Sequence, residues 1–233
     1  MPTNPTGETT ELLQALIRNR CVNDGTPASG EEHRNAALLR DYLAGAGIAV
    51  ERHAPAAYPG RESLVARIEG TDPTAPRLCL LAHTDVVPVS PEGWTRDPFG
   101  GELVDGEVWG RGAIDMLNLT ASMAVAFRHL ATSGFRPRGT LIFFGVADEE
   151  NGGRWGAEWM VREHWDAIGS DFVLTEMGGW SAHDAAGTRR VVVNVGEKGI
   201  AWRRLRVRGT PSHGSGMPGS AGTGSRSTRV WCG

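Results

Sequence analysis

Cysteine is scarce in this chain. The 233 residues contain three cysteines, Cys21, Cys79 and Cys232, which is an odd number without the spacing of a metal-binding cysteine motif. The pattern favours free thiols in a reducing compartment over a framework of disulfides. Because Cys79 lies inside an apolar run, we interpret it as a small core residue.

Long apolar runs and an excess of basic residues are also missing. No stretch approaches the roughly 20 consecutive apolar residues of a transmembrane helix, and residues 1–8 lack the basic and apolar regions of a signal peptide. The formal net charge of -3 leaves no basic stripe to neutralise phosphates. We therefore expect a cytoplasmic protein whose partner is neither a nucleic acid nor a membrane.

Several familiar signatures of ligand binding and catalysis are absent. No Gly-x-Gly-x-x-Gly follows a predicted strand and no phosphate-binding loop occurs, which weakens the hypothesis of a nucleotide-binding domain. The Gly-x-Ser-x-Gly elbow of serine hydrolases and the His-Glu-x-x-His motif of zincins are missing too. These two classes of hydrolase are therefore weaker alternatives.

The residues that are present predict a globular chain with a full core, since 40% are hydrophobic and 22% are charged. An opening helix is predicted near residues 10–20. Ser29-Gly30-Glu31-Glu32 has the pattern of a capping box, and it introduces a second helix that Gly47 ends. The apolar face of this second helix is predicted to consist of Ala36, Leu39 and Leu43.

Strands and helices alternate through the rest of the chain. Strands are predicted at 48–52, 64–69, 78–82, 140–146, 172–174 and 191–195, and helices at 116–132 and 155–165. Asp105-Gly106 predicts a tight hairpin turn. The alternation predicts an α/β fold with a layered, mostly parallel sheet and helices on both faces, in which ligands bind at the carboxyl ends of the strands.

The domain organisation changes towards the C-terminus. Residues 1–198 are predicted to form the main domain, without its C-terminal part, and the alternating segment at 199–215 to begin a smaller α+β domain. From Gly214 to Gly233 the chain has six glycines, four serines and no acidic residue, so residues 216–233 are expected to be disordered or aberrant.

Residues capable of binding metal follow three of the apolar runs. They are His83 and Asp85, then Asp115, then the pair Glu149 and Glu150. One imidazole and several carboxylates suit two zinc-like cations about 3.5 to 4 Å apart around a shared water. Taken singly, such a histidine is more often structural, and an acidic pair could begin an exposed helix. Their joint occurrence at strand ends is what favours a metal site of a hydrolase.

Five motifs in this order resemble the di-zinc aminoacylase and carboxypeptidase family, which has a zinc-exopeptidase fold. The family includes glutamate carboxypeptidase, acetylornithine deacetylase, succinyl-diaminopimelate desuccinylase and dipeptidases. The resemblance covers about residues 10–215, and the smaller domain would be the start of the family's lid and dimerisation domain. The motifs are HTDVVP, GRGAIDM, DEENGG, Leu174-Thr175-Glu176 and Pro211-Ser212-His213-Gly214-Ser215.

The resemblance implies a role for each matching residue. Glu149 would be the general base, Asp85 would accept a hydrogen bond from His83, and His213 would polarise the scissile carbonyl, often from the partner subunit of a homodimer. The implied metal ligands are His83 and Glu176 on the first zinc, Glu150 on the second, and Asp115 bridging both.

The activity implied is hydrolysis of an amide or peptide bond in a small N-acyl amino acid or peptide by a metal-bridging hydroxide. Two Zn²⁺ ions would be the cofactors, with Co²⁺ or Mn²⁺ as alternatives. The chain departs from the family at Leu117-Asn118, where Lys-Gly is common, and by the absence of a late histidine ligand. We therefore expect a damaged second-zinc site. The alternative is a truncated, non-catalytic fragment that retains partial metal binding.

Overall fold

The computed structural model describes residues 4–177, 180–196 and 199. The helices are α1 (Pro5–Arg18), α2 (His33–Ala44), α3 (Leu117–Thr132), α4 (Ala157–Glu163) and α5 (Trp165–Ile168). The strands are β1 (Val50–His53), β2 (Ser63–Ile68), β3 (Leu78–His83), β4 (Glu102–Val104), β5 (Glu107–Trp109), β6 (Leu141–Val146), β7 (Phe172–Leu174), β8 (Ser181–His183) and β9 (Arg189–Val191). Two 3₁₀ turns lie at Pro91–Gly93 and Glu149–Asn151.

Five of the described strands form one sheet in the order β1-β2-β6-β3-β7. β3 pairs in parallel with both β6 and β7, whereas β2 is antiparallel to β1 and β6. It follows that four strands run in one direction and only β2 runs against them. The predicted mostly parallel sheet is confirmed, and the predicted bounds of these five strands are correct to within two residues.

β6 lies between two layers of helices, and its side chains alternate between the two faces of the sheet. Leu141 and Phe143 pack on one face with the apolar sides of α1, α2 and α3. Ile142 and Phe144 pack on the other face with residues of α4 and α5. All six residues of the strand are buried, so helices cover the sheet on both sides, as the apolar run predicted.

α1 begins earlier than predicted. The Oδ1 atom of Asn4 accepts a hydrogen bond from the main-chain N–H of Thr6 at 3.2 Å, and Pro5 occupies the first turn, where no intrahelical N–H partner is needed. The apolar face expected from the sequence is buried, and it consists of Leu12, Leu13, Leu16 and Ile17.

The capping box predicted before α2 is wrong. Glu32 makes no capping hydrogen bond, because its fully buried side chain accepts a hydrogen bond from Arg61 instead. Ser29 Oγ also accepts from Arg61, so a buried guanidinium uses both acceptors that the capping box would need. The predicted apolar face of α2 is nevertheless buried, with Ala36, Leu39 and Leu43 inaccessible to solvent.

The predicted hairpin and the later helices are present with small differences. β4 and β5 pair across Asp105 and Gly106, whose φ angles of 52° and 86° are those of a tight hairpin turn. α3 matches its prediction to within one residue. The helix predicted at 155–165 is instead two short helices, because the backbone leaves the helical region at His164, with a φ of -137°.

The chain divides into two compact units, Met1–Glu176 and a second unit that begins at Met177. Within the second unit, β8 and β9 form an antiparallel pair. The strand predicted at 191–195 is wrong beyond Val191, because Val193 and Val195 pair with no described strand and are largely exposed. The predicted domain bounds at 198 and 215 stay predictions, since the residues from 200 onwards lie outside the described part.

Two further expectations concern cysteines and membranes. Cys21 and Cys79 are free and buried, and burial raises the pKa of each thiol to about 12, while Cys232 lies outside the described residues. None of the described helices combines the length and the apolar character needed to cross a bilayer. The cytoplasmic location stays a prediction.

Candidate metal centre

The parallel strands bring the predicted ligands to one edge of the sheet. His83 is the last residue of β3, Glu149 and Glu150 lie in the 3₁₀ turn that follows β6, and Glu176 lies shortly after β7. In the register, His83 pairs with Val146 at the end of β6. Carboxyl ends of parallel strands meet at a common edge, which explains why residues far apart in sequence converge here.

Three of the predicted ligands form the centre of this site. His83, Asp115 and Glu176 each offer one ligand atom, and these atoms lie within 4.8 Å of one another. His83 Nε2 is 3.1 Å from Asp115 Oδ1 and 3.9 Å from Glu176 Oε2. Among the described residues, this is the one group of three that could hold a cation in this way.

Packing and hydrogen bonds fix the imidazole of His83. The residue is inaccessible to solvent, and its Nδ1 lies 3.0 Å from the main-chain oxygen of Asp85. Thr120 Oγ1 donates to the main-chain oxygen of His83 at 2.7 Å, and the His83 N–H points to the Met116 sulfur. With Nδ1 facing a carbonyl oxygen, Nε2 is the nitrogen that faces the site, as a metal-binding histidine requires.

The carboxylate of Asp85 organises the turn after β6. It accepts hydrogen bonds from the main-chain N–H groups of Glu149 at 3.2 Å and Glu150 at 3.1 Å. Its nearest distance to His83 Nδ1 is 3.5 Å, which is longer than an ordinary hydrogen bond. The structure therefore places Asp85 beside His83, but its carboxylate oxygens serve the Glu149–Glu150 pair.

The two glutamates differ in their relation to His83. Glu149 Oε2 lies 3.7 Å from His83 Nε2. Glu150 is not part of the three-residue ligand group, although its charge interacts with His83 and Asp115. Two glycines close the turn with positive φ angles, 95° at Gly152 and 68° at Gly153, which few other residues adopt without strain.

Crowding of negative charge shifts the pKa values of the site. Burial raises the pKa of Glu150 to about 7 and that of Glu176 to about 7, and Asp115 adds to both shifts while His83 opposes them. Burial also raises the pKa of Glu149. Glu150 and Glu176 would thus be partly protonated near neutral pH in the absence of a cation.

The imidazole responds in the opposite sense. Burial lowers the pKa of His83, but the hydrogen bond to Asp115 and the negative charge of Asp85 outweigh this and raise the value to about 11. The hydrogen bond to His83 in turn lowers the pKa of Asp115. A divalent cation can replace a proton that an imidazole and a carboxylate share. Imidazole nitrogen and carboxylate oxygen are both ligands of zinc. The donor set therefore fits zinc.

A buried polar network lies behind the turn, and no local sequence pattern predicted it. Arg61 is 1% exposed and donates to Glu32 Oε1 at 2.7 Å and to Asn23 Oδ1 at 3.1 Å. Asn23 Nδ2 donates to Asp85 Oδ2 at 2.8 Å and to Asp148 Oδ1 at 3.0 Å. The network connects the segment before α2 with the ends of β3 and β6.

Two remaining sequence features have different outcomes. Leu117, at the first departure from the family pattern, is buried as the first residue of α3, and its N–H donates to the oxygen of Gly112 at 2.9 Å. It therefore fills the core beneath the Asp115 loop. His213 lies outside the described residues, and its role stays a prediction.

Two solved structures have a similar fold. The chain is similar to an M20 family metallo-carboxypeptidase from Sulfolobus solfataricus, with a TM-score of 0.59 and 19% identity over 89% of this chain and 41% of that one. It is also similar to human carnosine dipeptidase 1, with a TM-score of 0.58 and 20% identity over 75% of this chain and 39% of that one. These likenesses confirm the predicted fold class.

The sequence identifies the family. Residues 79–208 match the model of peptidase family M20/M25/M40, which is more than half of the 233 residues, and the chain therefore belongs to this family of metal-dependent hydrolases. The predicted family resemblance is confirmed.

Two curated relatives illustrate the range of the family. Aminoacylase-1 of Sus scrofa is 38% identical over 159 residues, which are 67% of this chain and 38% of the relative. Succinyl-diaminopimelate desuccinylase of Rhodopseudomonas palustris (strain BisB18) is 35% identical over 223 residues, which are 91% of this chain and 53% of the relative. The chain thus spans about half the length, or less, of these two relatives.

Proposed function

We propose that this chain binds zinc through His83, Asp115, Glu150 and Glu176 and that it hydrolyses the amide bond of a small N-acyl amino acid or peptide. The observation that carries the proposal is the convergence of His83, Asp115 and Glu176, whose ligand atoms lie within 4.8 Å of one another. The raised pKa values of Glu150 and Glu176, due first to burial, support it because a divalent cation would neutralise the crowded carboxylates.

Zinc, when bound, would supply Lewis-acid polarisation of the substrate carbonyl and activation of a water. His83, Asp115 and Glu176 would hold one ion, and Glu150 with Asp115 would hold the second. Glu149 is 45% exposed at its side chain and faces the same centre as His83, so its carboxylate is available to a water and a substrate.

Glu149 acts as the general base in this proposal. Its carboxylate accepts a proton from the attacking water as the water oxygen forms a bond to the carbonyl carbon. The same proton then passes to the leaving nitrogen as the C–N bond breaks, which yields a carboxylic acid and an amine. Burial raises the pKa of Glu149, which makes this carboxylate a better proton acceptor at neutral pH.

The substrate class rests on the relatives, whose names include an aminoacylase and several succinyl-diaminopimelate desuccinylases. Both names describe removal of an acyl group from an amino nitrogen. We therefore place N-acyl amino acids ahead of unmodified peptides as substrates. A role for His213 on the scissile carbonyl, from the partner subunit of a homodimer, is part of the same proposal.

The first experiment measures metal content and affinity. Metal-free protein is titrated with Zn²⁺, Co²⁺ and Mn²⁺ against a chromogenic chelator, and the bound ions per chain are counted by elemental analysis. Two tightly held ions per chain would contradict the predicted damage to the second-zinc site, and one ion would support it. No tight binding of any of the three would overturn the proposal.

The second experiment measures hydrolysis by the zinc-loaded chain. N-acetyl amino acids, N-succinyl amino acids and dipeptides are compared by detection of the released amine. Turnover that disappears with a chelator and returns with zinc supports the proposed enzyme. Zinc binding without turnover of any substrate would favour the alternative, a non-catalytic fragment that retains partial metal binding.

A further inference from the structure

Asn23 lies directly behind the Glu149–Glu150 pair. It is 3% exposed, and its Nδ2 donates to Asp85 Oδ2 at 2.8 Å and to Asp148 Oδ1 at 3.0 Å. Asp85 accepts the main-chain N–H groups of Glu149 and Glu150. The Asn23 amide thus connects the Asp85 carboxylate, which holds the Glu149–Glu150 pair, with Asp148, the residue immediately before the pair.

Four hydrogen bonds fix the orientation of the Asn23 amide. On the oxygen side, Asn23 Oδ1 accepts from Arg61 Nη2 at 3.1 Å and from the main-chain N–H of Gly25 at 3.1 Å. On the nitrogen side, both partners are carboxylates, which can only accept when ionised. Rotation of the amide by 180° would place the Asn23 oxygen against two carboxylates and the Asn23 nitrogen against two hydrogen-bond donors. Only the observed orientation therefore satisfies all four contacts.

Arg61 anchors this arrangement from the other side. Its guanidinium also donates to the oxygen of Thr26 at 2.7 Å and to Ser29 Oγ at 3.1 Å. Asp148 is held separately, since its N–H donates to Glu32 Oε1 and its Oδ2 accepts from the Trp155 N–H at 2.9 Å. Apart from the N–H groups of Glu149 and Glu150, the Asp85 carboxylate accepts, among the described residues, from the side chain of Asn23.

We propose that Asn23 is a positioning residue for the Glu149–Glu150 pair, an inference that rests on the proposed hydrolytic function for its catalytic part. The Asn23 amide orients the Asp85 carboxylate, and the oriented carboxylate fixes the main-chain N–H groups of both glutamates. Loss of the amide leaves two buried carboxylates without a shared donor, and Asp85 turns away from the pair.

The test compares Asn23→Ala with Asn19→Ala in the full chain. Asn19 is the matched control because its side-chain nitrogen also donates two hydrogen bonds, to Arg34 O and Asn35 Oδ1, away from the turn. In metal-free Asn23→Ala, we expect amide hydrogen exchange at Glu149 and Glu150 to accelerate by about tenfold or more, with the buried amides of β6 unchanged. Asn19→Ala should leave exchange at both glutamates at the wild-type rate.

A second readout uses the zinc-loaded protein. We expect Asn23→Ala to lower kcat by about 10-fold to 100-fold, as residues that orient metal ligands do, with KM within about threefold of wild type. Asn19→Ala should keep the wild-type kcat per zinc-loaded chain. Wild-type exchange at Glu149 and Glu150 in Asn23→Ala would overturn the proposal, and so would equal losses of kcat in the two variants.

Arg61→Lys is the second variant, in case Asn23→Ala does not fold. It retains the positive charge beside Glu32 but loses the planar fork that also reaches Asn23. Exchange at Glu149 and Glu150 should again accelerate, by less than in Asn23→Ala, and wild-type exchange would contradict the proposal. If the wild-type chain neither binds zinc nor hydrolyses an amide, the proposed function fails, while amide exchange still decides whether Asn23 positions the pair.

Discussion

The two sides of the candidate metal centre differ in their exposure to water. The side chains of His83 and Asp85 are 1% and 0% exposed, and each is held by several hydrogen bonds at the ends of buried strands. Asp115 and Glu149 are 66% and 45% exposed at their side chains. On the buried side, packing and hydrogen bonds fix the side chains. On the exposed side, like charges face one another, and the positions of the carboxylates would depend on the proposed cation between them.

Substitutions on the two sides should therefore differ in how strongly they change the stability of the fold. Substitutions on the buried side remove hydrogen bonds that the fold needs, so they alter both folding and metal binding. Substitutions on the exposed side should mainly affect the proposed binding of metal and substrate. Four predictions examine this separation.

Glu149→Gln should give the largest effect on activity. The amide has nearly the same shape but cannot accept the proton, so kcat should fall by about 10²-fold to 10⁴-fold. Zinc affinity should stay close to wild type because Glu149 is not among the proposed ligands. Glu158→Gln, at an exposed residue of α4, is the control, and a parallel loss of zinc in Glu149→Gln would make Glu149 a ligand instead.

Asp85→Asn and Asp115→Asn should differ in stability. Asp85→Asn weakens a buried acceptor of several hydrogen bonds, so the free energy of unfolding should fall by about 1–3 kcal/mol, with a loss of zinc affinity of about 10-fold to 100-fold. Asp115→Asn should cost less than about 1 kcal/mol in the metal-free protein, since the Asp115 side chain is 66% exposed to solvent. Urea unfolding and chelator competition measure the two quantities. Equal losses of stability would remove the distinction between the two sides.

Zinc affinity should rise with pH, and the rise should be steeper below pH 7. Burial raises the pKa values of Glu150 and Glu176 to about 7. Burial lowers the pKa of His83, but the hydrogen bond to Asp115 and the negative charge of Asp85 raise it to about 11. Below pH 7 the two proposed ions together must displace about three protons, whereas above it only the imidazole proton remains, so the slope of the logarithm of their combined affinity against pH should fall from about 3 to about 1. Calorimetry in buffers of different ionisation enthalpy counts these protons. A constant slope across pH 7 would contradict the assignment of Glu150 and Glu176.

Thr120→Val should have the smallest effect. Its hydroxyl donates to the main-chain oxygen of His83, and valine keeps the shape of the side chain while it removes the donor. We expect a loss of about 1 kcal/mol in the free energy of unfolding and a zinc affinity within about threefold of wild type. A large loss of zinc affinity would mean that the main chain of His83 is less firmly held by the sheet than the burial of β3 indicates.

The sequence predicted those parts of the structure that depend on local patterns. The apolar run of β6 indicated a buried strand, and Asp105-Gly106 indicated the hairpin turn between β4 and β5. The family motifs predicted which acidic residues would gather near His83, and Asp115 and Glu176 do lie there. The prediction for the valine-rich segment at 191–195 was wrong beyond Val191, because a sequence with high β-propensity forms a strand only where a neighbouring strand pairs with it.

Contacts between distant segments left no local pattern. Asn23 meets Asp85 and Asp148 across 62 and 125 residues, and neither spacing can be recognised in a window of sequence. The same problem affected Ser29 and Glu32, whose spacing fits a capping box perfectly well. Their acceptors serve Arg61 instead, because a buried guanidinium must find partners wherever the fold provides them.

Asp85 belongs to the chain that leaves β3, yet its carboxylate grips the chain that leaves β6. Beyond the last pairing of β3 with β6, Asp85 therefore joins the two loops that follow these strands. A movement of the loop after β6 away from the end of β3 must stretch the two bonds from Asp85 to Glu149 and Glu150. The chemical shifts of the Glu149 and Glu150 amides should consequently be sensitive to small displacements of this loop.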